Sequence, residues 1–146
     1  MGGEFELRCA INEDLALIRD LARIHAWHAG LRGRRLDDLV LAVNEVAANV
    51  LEHGGGAGRL VAVAEDGGLT VRISDVKGTL SPEHLAAARA GPSGARGLGL
   101  WLACRLCDEV ELDHPGGGAR LSLRVHGPVP SRPARAERES AAGPGG

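Results

Sequence analysis

Residues Leu41 to Gly54 read LAVNEVAANVLEHG, and the helix they belong to decides the fold. Leu36, Leu39, Val40, Val43, Val46, Ala47 and Val50 recur at steps of three and four, the period of one buried helix face. The segment starts near Arg34 and stops at the triplet Gly54, Gly55, Gly56. Glu45 and Asn49 are one helical turn apart, so they stack on one side, almost opposite the Leu39, Val43, Val46, Val50 stripe. Spacing alone makes that pair the solvated side of an amphipathic helix. A site needs company from elsewhere in the chain.

Working outward, Phe5 to Cys9 reads as a short strand, and Asn12 stands where a cap belongs for a helix from Glu13 to Trp27. After the long helix, Arg59 to Ala64 and Leu69 to Ser74 form two β-rich runs joined by Glu65, Asp66, Gly67 and Gly68, the chemistry of a hairpin. Pro82 opens a helix to Ala90, a loop covers Gly91 to Gly94, and another helix runs from Leu98 to Cys107. Glu109 to Asp113 and Arg120 to Val125 make a second hairpin around Pro115, Gly116, Gly117 and Gly118. The pattern predicts one α+β domain over residues 1–126, a two-layer α/β sandwich with helices on one face of a mostly antiparallel sheet. Residues 127–146 are rich in Pro, Arg, Glu, Ala and Gly and nearly empty of large apolar side chains, which predicts a disordered tail.

Composition narrows the function. The chain has 146 residues, 44% apolar, with a net charge of −2. That balance leaves no electrostatic excess to hold a phosphate backbone and argues against nucleic acid as a partner. Three aromatics offer almost no stacking platform for bases. No apolar stretch approaches the roughly 20 residues of a membrane span. Three cysteines without framework spacing point to a reduced, cytoplasmic protein.

Company for Glu45 and Asn49 comes from Asp75, which ends a β-run, from Gly78, and from Gly94, Gly97 and Gly99 leading into a helix. With those pieces in place, the chain resembles the Bergerat-type ATP-binding fold of gyrase, MutL and histidine kinases, and within it the small bacterial anti-sigma-factor serine kinases. LAVNEVAANVLEHG resembles the N-box, ISDVKG at Ile73 to Gly78 the first glycine box, and GARGLGLWLACRLCDEVEL at Gly94 to Leu112 the second. The resemblance spans about residues 5 to 125. It implies ATP and Mg²⁺ as ligands, with Asn49 supplying an amide oxygen to the metal and Glu45 acting as base on an attacking hydroxyl. Asp75 would accept the adenine amino proton, and Gly78 would close the adenine face. Backbone amides around Gly94, Arg96, Gly97, Leu98 and Gly99 would cover the phosphates. It further implies phosphorylation of a small anti-anti-sigma antagonist, sequestration of a sigma factor, and a homodimer.

Two departures mark this sequence. Lys77 stands where the family has the first glycine of its box, and Ala119 where it has a threonine. They carry an alternative, a degenerate module that only sequesters protein and binds nucleotide weakly or not at all. Lys77, Arg89 and Arg96 are the basic side chains available to pair with phosphate instead. A third class, a zinc-binding domain, would combine CRLC at Cys104 to Cys107 with HAWH at His25 to His28; both pairs fall inside helices, where Cys serves as small apolar filler.

Overall fold

A computed structural model describes residues 5–65, 67–92 and 94–127. From residue 128 on, the expected disordered tail lies outside the described residues. The order is β1 (Phe5–Ile11), α1 (Leu15–His28), α2 (Gly33–His53), β2 (Gly58–Glu65), β3 (Gly68–Asp75), α3 (Pro82–Ala90), α4 (Gly94–Leu106), β4 (Glu109–Asp113) and β5 (Ala119–His126). A short 3-10 turn, Pro115–Gly117, joins the last two strands.

Alternation along the strands separates two sheet faces. Leu60, Ala62, Leu69, Val71, Ile73, Leu121, Leu123 and Val125 point to the helices and are buried, while Arg8, Val61, Arg72, Ser122 and Glu111 share one row of the open face. The sheet order is β1-β2-β3-β5-β4, and every pairing is antiparallel. α1, α2 and α4 lie on the same face, with α3 packed on α4. The expected α+β sandwich is therefore the architecture, built from two hairpins and a flanking strand. No helix of the described residues is long and apolar enough to cross a membrane.

Two element boundaries differ from the sequence reading. The cap of α1 is Asp14, whose carboxylate accepts the Leu17 amide hydrogen; Asn12 instead accepts the Asp14 amide hydrogen at 2.9 Å and shapes the turn before it. α4 starts at Gly94 and not at Leu98, so Gly94, Gly97 and Gly99 lie inside its first two turns. Glycine disfavours a helix, but close packing against a neighbour supplies a reason for Gly99. α3 fits its expected bounds, with Ser81 and His84 forming a capping box and Pro82 opening the helix.

Arg35, in the first turn of α2, donates to Asp108 at 2.6 Å and also reaches the His126 carbonyl. Asp108 accepts the His126 amide hydrogen at 2.6 Å. This clamp ties the start of α2 to the α4–β4 junction and the end of β5.

Candidate nucleotide site

Asp75 closes β3 and organises the turn that follows. Its Oδ1 accepts the Gly78 amide hydrogen at 2.7 Å and the Ala119 amide hydrogen at 3.2 Å. Gly78 adopts a φ of +71°, a region that glycine enters without a Cβ penalty, and a Cβ there would collide with the Gly117 carbonyl oxygen. Within the chain, then, glycine is required at 78 by the β4–β5 turn. The other oxygen of Asp75 faces Gly54, the C-cap of α2; a Cβ on Gly54 would lie 2.7 Å from Asp75 Oδ2. Gly54 does more than stop the helix: it lets the end of α2 sit against the carboxylate.

Glu45 and Asn49 are half-buried and do not lie on a solvated face. α4 covers their side of α2, with Gly99 directly above. A Cβ on Gly99 would stand 3.3 Å from Glu45 Oε1 and 3.5 Å from Asn49 Nδ2. That nitrogen is buried without a hydrogen-bond partner, which for an amide costs on the order of 1–3 kcal/mol.

Asn49 and Asp75 line one cleft, joined by Gly54, Leu80, Leu100 and Ala119. Its free volume is about 20 Å³, room for about one water molecule. Of the residues named from sequence, Asn49 and Asp75 thus share the cleft, Glu45 and Gly99 meet beside Asn49, and Gly78 supports Asp75 from the turn. The backbone of Gly94, Ala95, Arg96 and Gly97 forms the first turn of α4, whose leading amides have no intrahelical acceptor. The Arg96 side chain and Ser93 lie outside the described set.

Of the basic residues proposed for phosphate, Arg89 is engaged elsewhere. It donates to the Val110 carbonyl beside β4 and influences the Cys104 thiol. Lys77 is exposed and flanks Gly55, with Cβ 3.5 Å from the place a Gly55 Cβ would take. Ala119 supplies through its backbone what its side chain lacks, a hydrogen bond to Asp75. Cys107 is buried at the end of α4; burial, with Asp108, Cys104 and Asp38 adding negative charge, pushes its thiol up to about 12 against the opposing pull of Arg35. Among the described residues no three His, Cys, Asp or Glu side chains converge on a place for a metal. The sequence reading missed Gly54 as an Asp75 neighbour, Leu80 as a cleft wall, and the Arg35–Asp108 clamp. Only the glycine triplet signalled any of these.

Residues 10–125 match the family model described as histidine kinase-like ATPase domain. The chain belongs to this family. Two solved structures share its fold. The RsbU and RsbW domains of Rv1364c from Mycobacterium tuberculosis align with a TM-score of 0.61 at 21% identity, covering 84% of this chain and 32% of that one. The SiaB–SiaC complex from Pseudomonas aeruginosa aligns with a TM-score of 0.62 at 16% identity, covering 82% of this chain and 88% of its counterpart. This chain therefore spans about a third of the mycobacterial chain. No curated protein matches its sequence.

Proposed function

We propose that this histidine kinase-like ATPase domain is a regulatory protein serine/threonine kinase of the anti-sigma type. It binds ATP with Mg²⁺, transfers the γ-phosphoryl group to a serine of a small antagonist protein, and sequesters a sigma factor. The observation that carries the reading is the convergence of Asn49 and Asp75, from α2 and β3, on one cleft closed by Gly54. The motif resemblance and the likeness to an RsbW-containing chain and to SiaB support it.

In this reading Asp75 Oδ2 accepts the adenine amino hydrogen while Oδ1 stays bonded to Gly78 and Ala119. The first-turn amides of α4 face the phosphates. The donor set fits magnesium, a hard ion that takes oxygen ligands and needs one or two protein groups beside phosphate. Asn49 would hold it through its amide oxygen. When bound, the ion neutralises charge on the phosphates. Glu45 takes the proton of the serine hydroxyl as its oxygen bonds to the γ-phosphorus and ADP leaves. With only about 20 Å³ free, the cleft, walled in part by Leu80 and Leu100, must widen to admit a nucleotide.

The same small volume favours a second reading, a sequestering module that binds no nucleotide. Thermal melting with and without Mg-ATP separates the two. Binding at 100 times the dissociation constant adds about 2.7 kcal/mol of stability; no shift at millimolar ATP selects the module. For the kinase, Asn49→Ala removes the magnesium-dependent shift. Glu45→Ala keeps the shift and loses transfer from labelled ATP to the antagonist.

A further inference from the structure

β4 is an outer strand of the sheet and pairs only with β5, so its far edge carries backbone groups that no strand meets. Arg89 of α3 donates to one of them, the Val110 carbonyl. Beside that edge runs an open groove of about 520 Å³, with Trp101 and Cys104 of α4 on one wall and Glu109 and Glu111 of β4 on the other. It shares no lining residue with the nucleotide cleft. Its two walls diverge from one corner, the Cys107–Asp108 junction. Trp101 stands six residues back from Cys107 along the helix, about 9 Å at 1.5 Å each, and Glu111 three residues on from Asp108, about 10 Å. The far end of the groove therefore sets a half-buried aromatic ring against an exposed carboxylate.

The last described strand comes to the same corner, where the His126 amide hydrogen bonds Asp108 at 2.6 Å. After Gly127 the sequence reads PVPSRPAR, Pro128 to Arg135, outside the described residues. Proline sets φ near −65° and favours the polyproline helix, with three residues per turn and about 3.1 Å for each. In that helix Pro130 and Pro133 share one face, and Arg132 and Arg135 share another. Proline-rich segments of this shape dock in grooves lined by aromatic rings. Arg135 is eight residues from Gly127, a reach of up to about 25 Å, enough to reverse direction and still arrive at Glu111.

We propose that Pro128 to Arg135 fold back along the β4 edge of their own chain and occupy this groove, with Pro130 and Pro133 against Trp101 and with Arg132 and Arg135 paired to Glu109 and Glu111. This inference rests on the fold and not on nucleotide binding. The two glutamates are about 7 Å apart along the strand and the two arginines about 9 Å along a polyproline helix, a difference that long arginine side chains absorb. Glu109 also lies 3.2 Å from His126 Nε2, an ion pair only when that ring is protonated. Exposed pairs contribute only about 0.2–1 kcal/mol each, too little to hold a free peptide. A short tether changes the balance: it keeps the segment at millimolar effective concentration, where a dissociation constant of about 1 mM already half-fills the groove.

Cross-linking of the full chain tests it. In a Cys9→Ser background, Ala134→Cys is expected to form a disulfide with Cys104 of the same chain when diamide takes up the two thiol hydrogens. Arg132→Glu with Arg135→Glu, which alters no residue of the sheet or helices, is expected to slow that reaction roughly tenfold. Glu109→Arg with Glu111→Arg is expected to slow it alike, with circular dichroism confirming the fold. All four changes together are expected to restore the parent rate. Absence of the disulfide, or a rate that none of these changes alters, overturns the proposal. So does slowing that the fourfold variant fails to reverse, or a disulfide that joins two chains, which assigns the groove to a second copy.

Discussion

Asp75 Oδ1 accepts the Ala119 amide hydrogen at 3.2 Å, and the two residues are also register partners between β3 and β5. The carboxylate is thereby fixed by backbone, with no need of a side-chain hydroxyl on β5. Replacing Asp75 separates its two tasks. Asp75→Ala strips acceptors from the Gly78 and Ala119 amides and should cost about 1–3 kcal/mol in denaturant unfolding. Asp75→Asn keeps an acceptor oxygen and should cost less, yet lose the Mg-ATP melting shift, because an amide nitrogen in place of Oδ2 cannot accept from adenine.

Gly54 and Gly99 should respond to alanine in opposite ways. At Gly54 a Cβ meets Asp75 at 2.7 Å, an overlap expected to cost about 1–3 kcal/mol. At Gly99 the nearest atoms are at 3.3 Å and belong to the end of the Glu45 side chain; the helix gains about 1 kcal/mol of propensity from alanine. Urea unfolding of Gly99→Ala should therefore show equal or greater stability. Its Mg-ATP shift should vanish, since the methyl group fills the space above Glu45 and Asn49.

Cys107 predicts an alkaline limit. Its folded thiol, held up to about 12 mainly by burial, keeps its proton where the unfolded thiol, near 9, has lost it. The raised value means that the contribution is complete below about pH 9 and is lost as pH rises through the folded value. Stability measured at pH 8 and pH 10.5 should fall in the wild type, and Cys107→Ala should flatten the drop. In native protein a maleimide should modify the half-buried Cys9 and Cys104 before Cys107.

Asp108 predicts the acid side. Burial raises its carboxyl, but the His126 amide hydrogen and Arg35 outweigh that and leave it below its ordinary value. A lowered value contributes stability above the unfolded value, near 3.8, that is lost as pH falls through the folded one. Asp108→Asn should therefore be less stable than wild type at pH 6, with the gap narrowing at pH 3 as the native carboxylate is neutralised.

Local signals were legible wherever the chain itself enforces them. Helical period and the glycine triplet placed α2 closely, Pro82 placed α3, and alternation with glycine-rich turns placed both hairpins. The two boundaries that moved depended on competition between nearby groups. Asn12 and Asp14 are both good caps, and only the chosen backbone path decides which accepts from the helix. The expected helix began only at Leu98 because Gly94 and Gly97 disfavour one, yet both lie in the first turn of α4.

Period and composition by themselves determined one helix with an acidic and an amide side chain a turn apart, two antiparallel hairpins and an apolar core, because these follow from the repeat of each backbone. Tertiary structure alone decided that Glu45 and Asn49 lie beneath Gly99, that Asp75 is held by Gly78 and Ala119, and that Gly54 leaves room for it. Each is an approach between distant segments, set by how helix and sheet pack and not by any neighbour in sequence.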